Sequence, residues 1–263
     1  VELFFISQTD IDIPGKTENS GRIYLPSAEV NLIEFIKEHK IASESTPVRL
    51  HLGCGEYKLE GYINIDYPPS KHSVMNVAAD VFADITKLEM PDNSVDEIRL
   101  HHVFEHFDRV TALYLLIKWH HFLKPGGILI IETPDIMGSA RMLVSDAPYK
   151  IKMGAVRNLT GDQADDWAFH LDHWFPERFR HTLEILGFKV IDVKSTLWDH
   201  EPYLANVTVL TRKEQEIDIS DNYTSWGSFF YDESEDALRI KVKPVEAPFR
   251  EWLVYGFDEL TPG

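Results

Sequence analysis

The sequence predicts an α/β protein built on a doubly wound parallel sheet. Short apolar runs alternate with segments of helical period over residues 47–212, which is typical of a sheet covered by helices. The run 48–52 ends directly in Gly53-Cys54-Gly55, and open α/β sheets bind ligands where their strands end. The run 128–131 is continuously apolar, as expected for a central strand buried on both faces.

The remaining elements follow from apolar periodicity and from glycine and proline signals. Residues 136–172 have no regular pattern and are rich in Asp, His and Trp, so we interpret them as an insertion that forms a lid. The predicted elements lie in this order: strands at 48–52, 62–65, 81–85 and 95–100, a helix at 111–123, a strand at 128–131, a helix at 176–186, and strands at 188–193 and 205–210.

Two further segments flank this domain. Residues 1–46 are predicted to be an entry segment with an edge strand at 3–6 and a helix at 28–40, which Ser27 caps and which packs beside the domain. Residues 213–263 are acidic but rich in aromatic side chains, and they include an alternating strand pattern at 238–243. Because disordered tails are poor in aromatics, we expect a folded extension that packs on the core or on a second copy, which would make a homodimer.

Composition limits the classes of function. The chain has 263 residues, enough for one sizeable domain with additions, and a formal net charge of -17. That charge argues against a general nucleic-acid binder, since phosphate contacts need a basic face. The single cysteine, Cys54, excludes an internal disulfide framework. With no apolar run of membrane-spanning length and no signal-peptide pattern, we expect a cytoplasmic protein without a membrane span.

The glycine run and the acid after it predict a nucleoside cofactor site. Asp66 ends the second predicted strand, where its carboxylate can accept hydrogen bonds from ribose hydroxyls. Gly53 and Gly55 allow a tight turn and a close approach of the ligand. The run is only part of the dinucleotide fingerprint G-x-G-x-x-G, because Lys58 stands where the third glycine would be.

Five motifs in order carry a family resemblance. They are LHLGCG, INID, ADITKLEMPDNSVDEI, HHVFEHF and LKPGGILIIETPD. Together they resemble class I S-adenosylmethionine-dependent methyltransferases, and in particular small bacterial methyltransferase-like proteins associated with surface-polysaccharide or other glycan pathways. The resemblance covers about residues 47–212 and implies a Rossmann-like seven-stranded sheet, S-adenosylmethionine as cofactor and O-methylation of a sugar or glycan intermediate.

The same resemblance assigns cofactor residues. It implies that the glycine loop passes under the methionine part, that Asp66 holds the ribose, and that Asp84 with the backbone of Ile85 contacts the adenine. The implied cofactor residues are Gly53, Cys54, Gly55, Asp66, Asp84, Ile85, His101 and His102. One departure is that only ten residues separate Gly55 from Asp66, too few for the usual first helix plus a strand.

Transfer to a hydroxyl benefits from a base, and histidine suits neutral pH. The candidates are His106, His170 and His173, and Asp172 can orient either of the last two. As alternatives, His106 packs in a helix and the other two lie on a solvated loop. Aromatic and acidic side chains flank the candidates and are expected to contact a sugar: Trp167, Phe169, Trp174, Phe175, Asp165, Asp166 and Asp172. The alternative is that these aromatics only pack the insertion onto the core.

Residues 102–106 also spell H-x-x-E-H, the inverted zinc-peptidase motif, which needs His102 and His106 on one helical face. We interpret them instead as part of the methyltransferase pattern and expect no metal. Two other functions remain open. One is a Rossmann-type oxidoreductase with a nucleotide cofactor, and the other is a methyltransferase-like module that binds a partner without turnover.

Overall fold

The computed structural model describes residues 30–31, 36, 47–68 and 75–216. Its strands, in chain order, are β1 (Val30–Asn31), β2 (Arg49–Leu52), β3 (Ile63–Asp66), β4 (Val81–Phe82), β5 (Leu88–Glu89), β6 (Val95–His101), β7 (Leu123–Pro134), β8 (Phe188–Leu197) and β9 (Ala205–Lys213). Its helices are α1 (Arg109–Phe122), α2 (Ile136–Val144), α3 (Tyr149–Thr160) and α4 (Pro176–Ile185).

Seven strands form one sheet in the order β4-β3-β2-β6-β7-β9-β8. The first five strands in this order run parallel, and β9 pairs antiparallel with both β7 and β8. The strand order reverses between β2 and β6, so the crevice for a ligand lies at the carboxyl ends of these two strands. The predicted doubly wound α/β fold, with seven strands, is confirmed.

The core lies on the sheet faces and fixes the turn after β6. Leu52, Ile65 and Leu100 are fully buried in the strands. Phe104 is also fully buried, and its ring centroid lies 5.0 Å from that of Trp174 and 5.8 Å from that of Trp119. Since a buried aromatic side chain has few alternative positions, Phe104 anchors the 3-10 turn Phe104–His106 against the core.

Helices α2 and α3 lie in the stretch predicted to be irregular, so that prediction is wrong. Asp135 caps α2, because its carboxylate accepts a hydrogen bond from the backbone N–H of Met137 at 2.9 Å. The two helices bury few side chains, and these include the polar Ser139 and Asn158. Each helix is short and has an interior glycine, Gly138 or Gly154, which weakens the helical signal in the sequence.

Two other boundaries differ from the prediction. Val30–Asn31 is a strand paired with β5 instead of part of a helix, because backbone pairing overrides a weak helical period; Ile36 is helical. The strand predicted at 81–85 is shorter in the structure, where β4 ends at Phe82 and Asp84 caps a 3-10 turn at Ile85–Lys87. The predicted strands at 3–6 and 238–243 and the Ser27 cap lie outside the described residues.

The end of β9 stays attached to the domain. The buried Lys213 ammonium donates hydrogen bonds to Asn93 Oδ1 at 2.9 Å and to the Leu123 carbonyl at 3.0 Å. His120 Nε2 donates to the Gln215 carbonyl at 2.8 Å. Residues 217–263, most of the predicted extension, lie outside the described part of the chain. Within that part, no helix combines the length and apolarity needed to cross a membrane.

Gly53 is predicted to tolerate substitution less well than Gly55. Both have positive φ, at 70° and 55°, but a Cβ on Gly53 would lie 2.1 Å from Val103 Cγ2 whereas one on Gly55 would meet only Met75 Sδ at 3.8 Å. Gly53→Ala should lower the free energy of unfolding by about 3 kcal/mol and Gly55→Ala by about 1 kcal/mol. Urea denaturation measures both, and adding Val103→Ala should recover part of the Gly53→Ala loss. Equal losses would contradict the close packing.

His120 is predicted to weaken the fold in acid. Burial lowers the pKa of His120 to about 4; its Nδ1 has no hydrogen-bond partner among the described residues. His120 has a pKa of about 6.5 in the unfolded chain. Below that pH it binds a proton in the unfolded chain but not in the folded chain, so the free energy of unfolding falls as the pH drops towards 4. His120→Gln should flatten this acid limb by up to about 1.4 kcal/mol per pH unit. Parallel curves of unfolding free energy against pH would contradict the prediction.

Candidate functional site

The glycine loop begins where β2 ends. The backbone N–H groups of Gly53 and Cys54 both donate to the Ile65 carbonyl, at 2.8 and 3.2 Å, which holds the loop against β3. Burial raises the pKa of the Cys54 thiol to about 12. A thiol of this kind is inert as a nucleophile at neutral pH, so Cys54 is a packing residue in this loop.

Asp66 joins the end of β3 to the glycine loop. Its buried carboxylate accepts hydrogen bonds from the backbone N–H of Gly55 to Oδ2 and of Tyr67 to Oδ1, both at 2.6 Å. Each carboxylate oxygen has two lone pairs, so these bonds orient the group without exhausting its capacity as an acceptor. The predicted ribose acid therefore also fixes the shape of the loop.

The short link between β2 and β3 contains turns and no helix over residues 53–62, all of which are described. Asn64 holds this link: its Oδ1 accepts from the Leu59 N–H at 2.8 Å, and its Nδ2 donates to Asp80 at 2.8 Å. Lys58 donates to the same Asp80 at 2.6 Å. Lys58 stands where a dinucleotide-binding fold has its third glycine, and its ion pair with Asp80 holds the loop in position.

Asp84 has local partners. Its Oδ1 accepts from the Thr86 N–H at 3.0 Å and from the Thr86 hydroxyl at 2.6 Å, and its Oδ2 lies 3.4 Å from the Lys87 ammonium. The Ile85 side chain is buried, which leaves its backbone as the part available to a ligand. The carboxylate thus has a structural role whether or not it also contacts an adenine.

His101 and His102 lie at the end of β6, beside Glu132 of β7. His102 Nε2 is 3.4 Å from Glu132 Oε1, and its Nδ1 is 3.4 Å from Glu105 Oε1. Burial alone would lower the pKa of His102, but these two carboxylates raise it to about 10. The contacts with His101 and His102 in turn hold the pKa of Glu132 well below its usual range. His102 is therefore a fixed cation between two acids at neutral pH.

Glu105, His106 and His170 form a cluster next to this group. One ligand-type atom from each of the three lies within 4.8 Å of the others, and the His106 and His170 ring centroids are 4.8 Å apart. Glu105 is 1% exposed. Burial alone would raise its pKa, but the facing rings of His102, His106 and His170 hold it below the usual value.

Hydrogen bonds within the insertion position His170 in this cluster. Its Nδ1 donates to the Asn158 carbonyl at 2.8 Å, and the Asn158 amide donates to the Ala205 carbonyl at 2.9 Å. The Leu171 N–H donates to the Glu105 carbonyl at 2.8 Å. Backbone bonds and one buried amide thus connect α3, β9 and the turn after β6.

Asp172 does not orient a histidine, contrary to expectation. Its carboxylate is held by Arg178 in two hydrogen bonds of 2.8 and 2.7 Å, and Arg109 Nε lies 3.7 Å away. Arg178 also stacks on the Trp174 ring at 3.8 Å and donates to the His173 carbonyl. Trp174 is buried, so it is a packing residue and cannot stack on a sugar.

The structure therefore brings two of the three candidate bases together. His106 and His170 are in ring contact, whereas His173 follows the Asp172–Arg178 pair; it is half-buried, and burial lowers its pKa. Sequence analysis missed Glu105 and Glu132. Glu105 was visible as the acid of H-x-x-E-H, and Glu132 as a charge that interrupts the apolar strand β7.

The zinc-peptidase interpretation fails on geometry. His102 has a φ of 53°, and only Phe104–His106 forms a short 3-10 turn. His102 and His106 are therefore not on one face of an α-helix, as that motif requires.

Residues 50–131, from β2 into β7, match a family described as a methyltransferase domain. This match does not favour the oxidoreductase or the non-catalytic module. A search of curated proteins found no match.

Solved structures similar to this chain include two S-adenosylmethionine-dependent methyltransferases. That of Methanosarcina mazei is 15% identical with a TM-score of 0.45, over 68% of this chain and 98% of that one. That of Archaeoglobus fulgidus is 16% identical with a TM-score of 0.43, over 69% and 93%. A Burkholderia thailandensis 1,6-didemethyltoxoflavin-N1-methyltransferase with bound 1,6-didemethyltoxoflavin and S-adenosylhomocysteine is 14% identical with a TM-score of 0.43, over 69% and 76%.

Proposed function

We propose that this chain is an S-adenosylmethionine-dependent methyltransferase whose acceptor is a hydroxyl group of a sugar or glycan intermediate. The domain match over residues 50–131 and the strand order support the class of enzyme and the cofactor. The observation that supports the acceptor is the pair of imidazoles, His106 and His170, with Trp167 5.9 Å from His106 at the end of β6.

The cofactor residues in this proposal are those at the carboxyl ends of β2, β3 and β6. The glycine loop 53–55 lies beneath the methionine part, Asp66 accepts from the ribose, and His101 and His102 line the methionine side. The sharp turn at Gly53 and Gly55 and the oriented Asp66 carboxylate fit such a ligand. Asp84, with its Thr86 contacts, and the backbone of Ile85 are assigned to the adenine.

S-adenosylmethionine supplies an electrophilic methyl carbon, which the acceptor oxygen takes in exchange for its hydroxyl proton as S-adenosylhomocysteine leaves. The part of the protein is to hold the acceptor in line and to take up that proton. A base among His106, His170 and His173 meets this need, since a neutral imidazole accepts a proton near pH 7.

Side chains of the insertion support a sugar as the acceptor. The half-buried Trp167 has its ring centroid 5.9 Å from that of His106, and Phe169 is 41% exposed. Aromatic side chains of this kind can pack on the apolar side of a pyranose ring. Asp165 and Asp166 lie just before Trp167 in the same bend and turn, and carboxylates there can accept hydrogen bonds from sugar hydroxyls. Closure of residues 136–172 as a lid over the acceptor remains a prediction.

Asp66→Ala is expected to weaken the binding of S-adenosylhomocysteine roughly tenfold or more, because the ribose hydroxyls lose their acceptor and the loop loses its anchor. Asp84→Ala should cost less, since one of its oxygens already serves Thr86. Calorimetric titration gives the affinities, and Asp192→Ala, at a surface ion pair with Lys194, is the matched control. Unchanged affinity in both site variants would overturn the assignment.

An acceptor panel tests the proposed substrate class. Purified protein and labelled S-adenosylmethionine are incubated with sugars, nucleotide sugars, small phenols, peptides and oligonucleotides, and we expect label in a sugar or nucleotide sugar. On the best acceptor, Trp167→Ala should lower kcat/KM roughly tenfold through lost stacking, while the exposed Tyr149→Ala should not. Label in a peptide or an oligonucleotide alone would refute the sugar.

A further inference from the structure

The Glu105 carboxylate makes no hydrogen bond among the described residues. It is 1% exposed, and neither of its oxygens has a hydrogen-bond partner among the described residues. Burying an ionised carboxylate without hydrogen bonds or a bound cation is costly. His102 lies 3.4 Å from one of its oxygens, but this cation is shared with Glu132.

The two imidazoles at this carboxylate are prepared as acceptors. His170 Nδ1 faces the Asn158 carbonyl at 2.8 Å and His106 Nδ1 faces the Phe169 carbonyl at 3.0 Å. Because a carbonyl oxygen can only accept, each Nδ1 carries the proton and each Nε2 carries a lone pair in the neutral ring. His170 Nε2 lies 3.9 Å from Glu105 Oε1. A backbone carbonyl behind each ring is the usual support of a metal-ligating histidine.

We propose that Glu105, His106 and His170 bind a divalent transition-metal ion. One ligand atom from each lies within 4.8 Å of the other two, so small side-chain movements suffice to bring all three to one ion. Two imidazole nitrogens with one carboxylate oxygen suit Zn²⁺, Mn²⁺, Fe²⁺ or Co²⁺ better than Mg²⁺ or Ca²⁺, which prefer oxygen ligands. Three protein ligands leave positions open on the ion for a further oxygen.

This site uses different residues from the H-x-x-E-H motif. In that motif both histidines are ligands and the glutamate is not, whereas here the glutamate is a ligand and His170 replaces His102. His102 remains with Glu132, Thr208 and His101, where the Thr208 hydroxyl donates to Glu132 Oε2 at 2.7 Å.

The role of the ion rests on the proposed function. The cluster is adjacent to His102 at the cofactor end of β6, so an ion there would bind an acceptor hydroxyl close to the methyl donor. Coordination makes a hydroxyl more acidic. The proton of that hydroxyl would then be released to water, since the Nε2 atoms of His106 and His170 would be bound to the ion.

Titration of the 263-residue chain with Co²⁺ tests the site without any methyl transfer. Protein stripped with a chelator and dialysed is titrated with Co²⁺, and the visible d–d absorption reports its coordination. We expect saturation at about one ion per chain and a rise in melting temperature on binding. Glu105→Gln and His170→Ala should each weaken Co²⁺ binding roughly 100-fold. The matched control is His200→Ala, at an exposed histidine outside the cluster.

The stability of the metal-free Glu105→Gln protein separates a metal site from a structural ion pair. If the carboxylate awaits an ion, removing its charge should leave the metal-free melting temperature unchanged or raise it. A lower melting temperature, together with no Co²⁺ response in the wild type, would mean that Glu105 serves His102 instead, and the proposal would be wrong. Equal Co²⁺ affinity in the wild type and in both cluster variants would also overturn it. If the acceptor panel fails while Co²⁺ binds as expected, only the proposed function falls.

Discussion

The close packing of Gly53 against Val103 is the contact on which the geometry of this site depends. A Cβ on Gly53 would lie inside the Val103 side chain, so only glycine at positive φ lets the loop after β2 approach the turn after β6 this closely. Val103 lies between His102 and the anchored Phe104. The glycine loop and the turn that carries Glu105 and His106 are therefore held together at the point where the strand order reverses.

Charge is distributed unevenly around that point. Glu132 and Glu105 both face His102, which they keep protonated, while Asp172 is neutralised by Arg178. Because Glu105 shares His102 with Glu132, it has less charge compensation than Asp172, although it is among the most buried acids. In an acidic chain such a residue is held in place by packing, because Phe104 on one side and the Leu171 backbone on the other fix its position.

Much of the fold and part of the site were predictable from the sequence. Continuous apolar runs gave the central strands correctly, because burial on both faces leaves no polar positions, and Gly187 gave the end of α4. Helices α2 and α3 escaped prediction, because each is short and has an interior glycine, Gly138 or Gly154, which weakens a helical signal. The joining of His170 to His106 was not predictable as geometry, because it depends on a hydrogen bond to the Asn158 carbonyl, which no side-chain pattern records. Glu132 was missed because its partners His101, His102 and Thr208 lie on or just after other strands.

The backbone bonds from Leu171 and Asp172 to the Glu105 carbonyl, at 2.8 and 3.3 Å, have a thermodynamic consequence. They couple the position of the turn after β6 to the ordering of the segment that ends in Asp172. A ligand that binds only when these bonds are formed must stabilise that segment, and by reciprocity whatever stabilises the segment raises the affinity of the ligand by the same factor. Contacts made far along the insertion, on α3 or at Gly161, can thus tune binding at the sheet edge without touching the bound molecule.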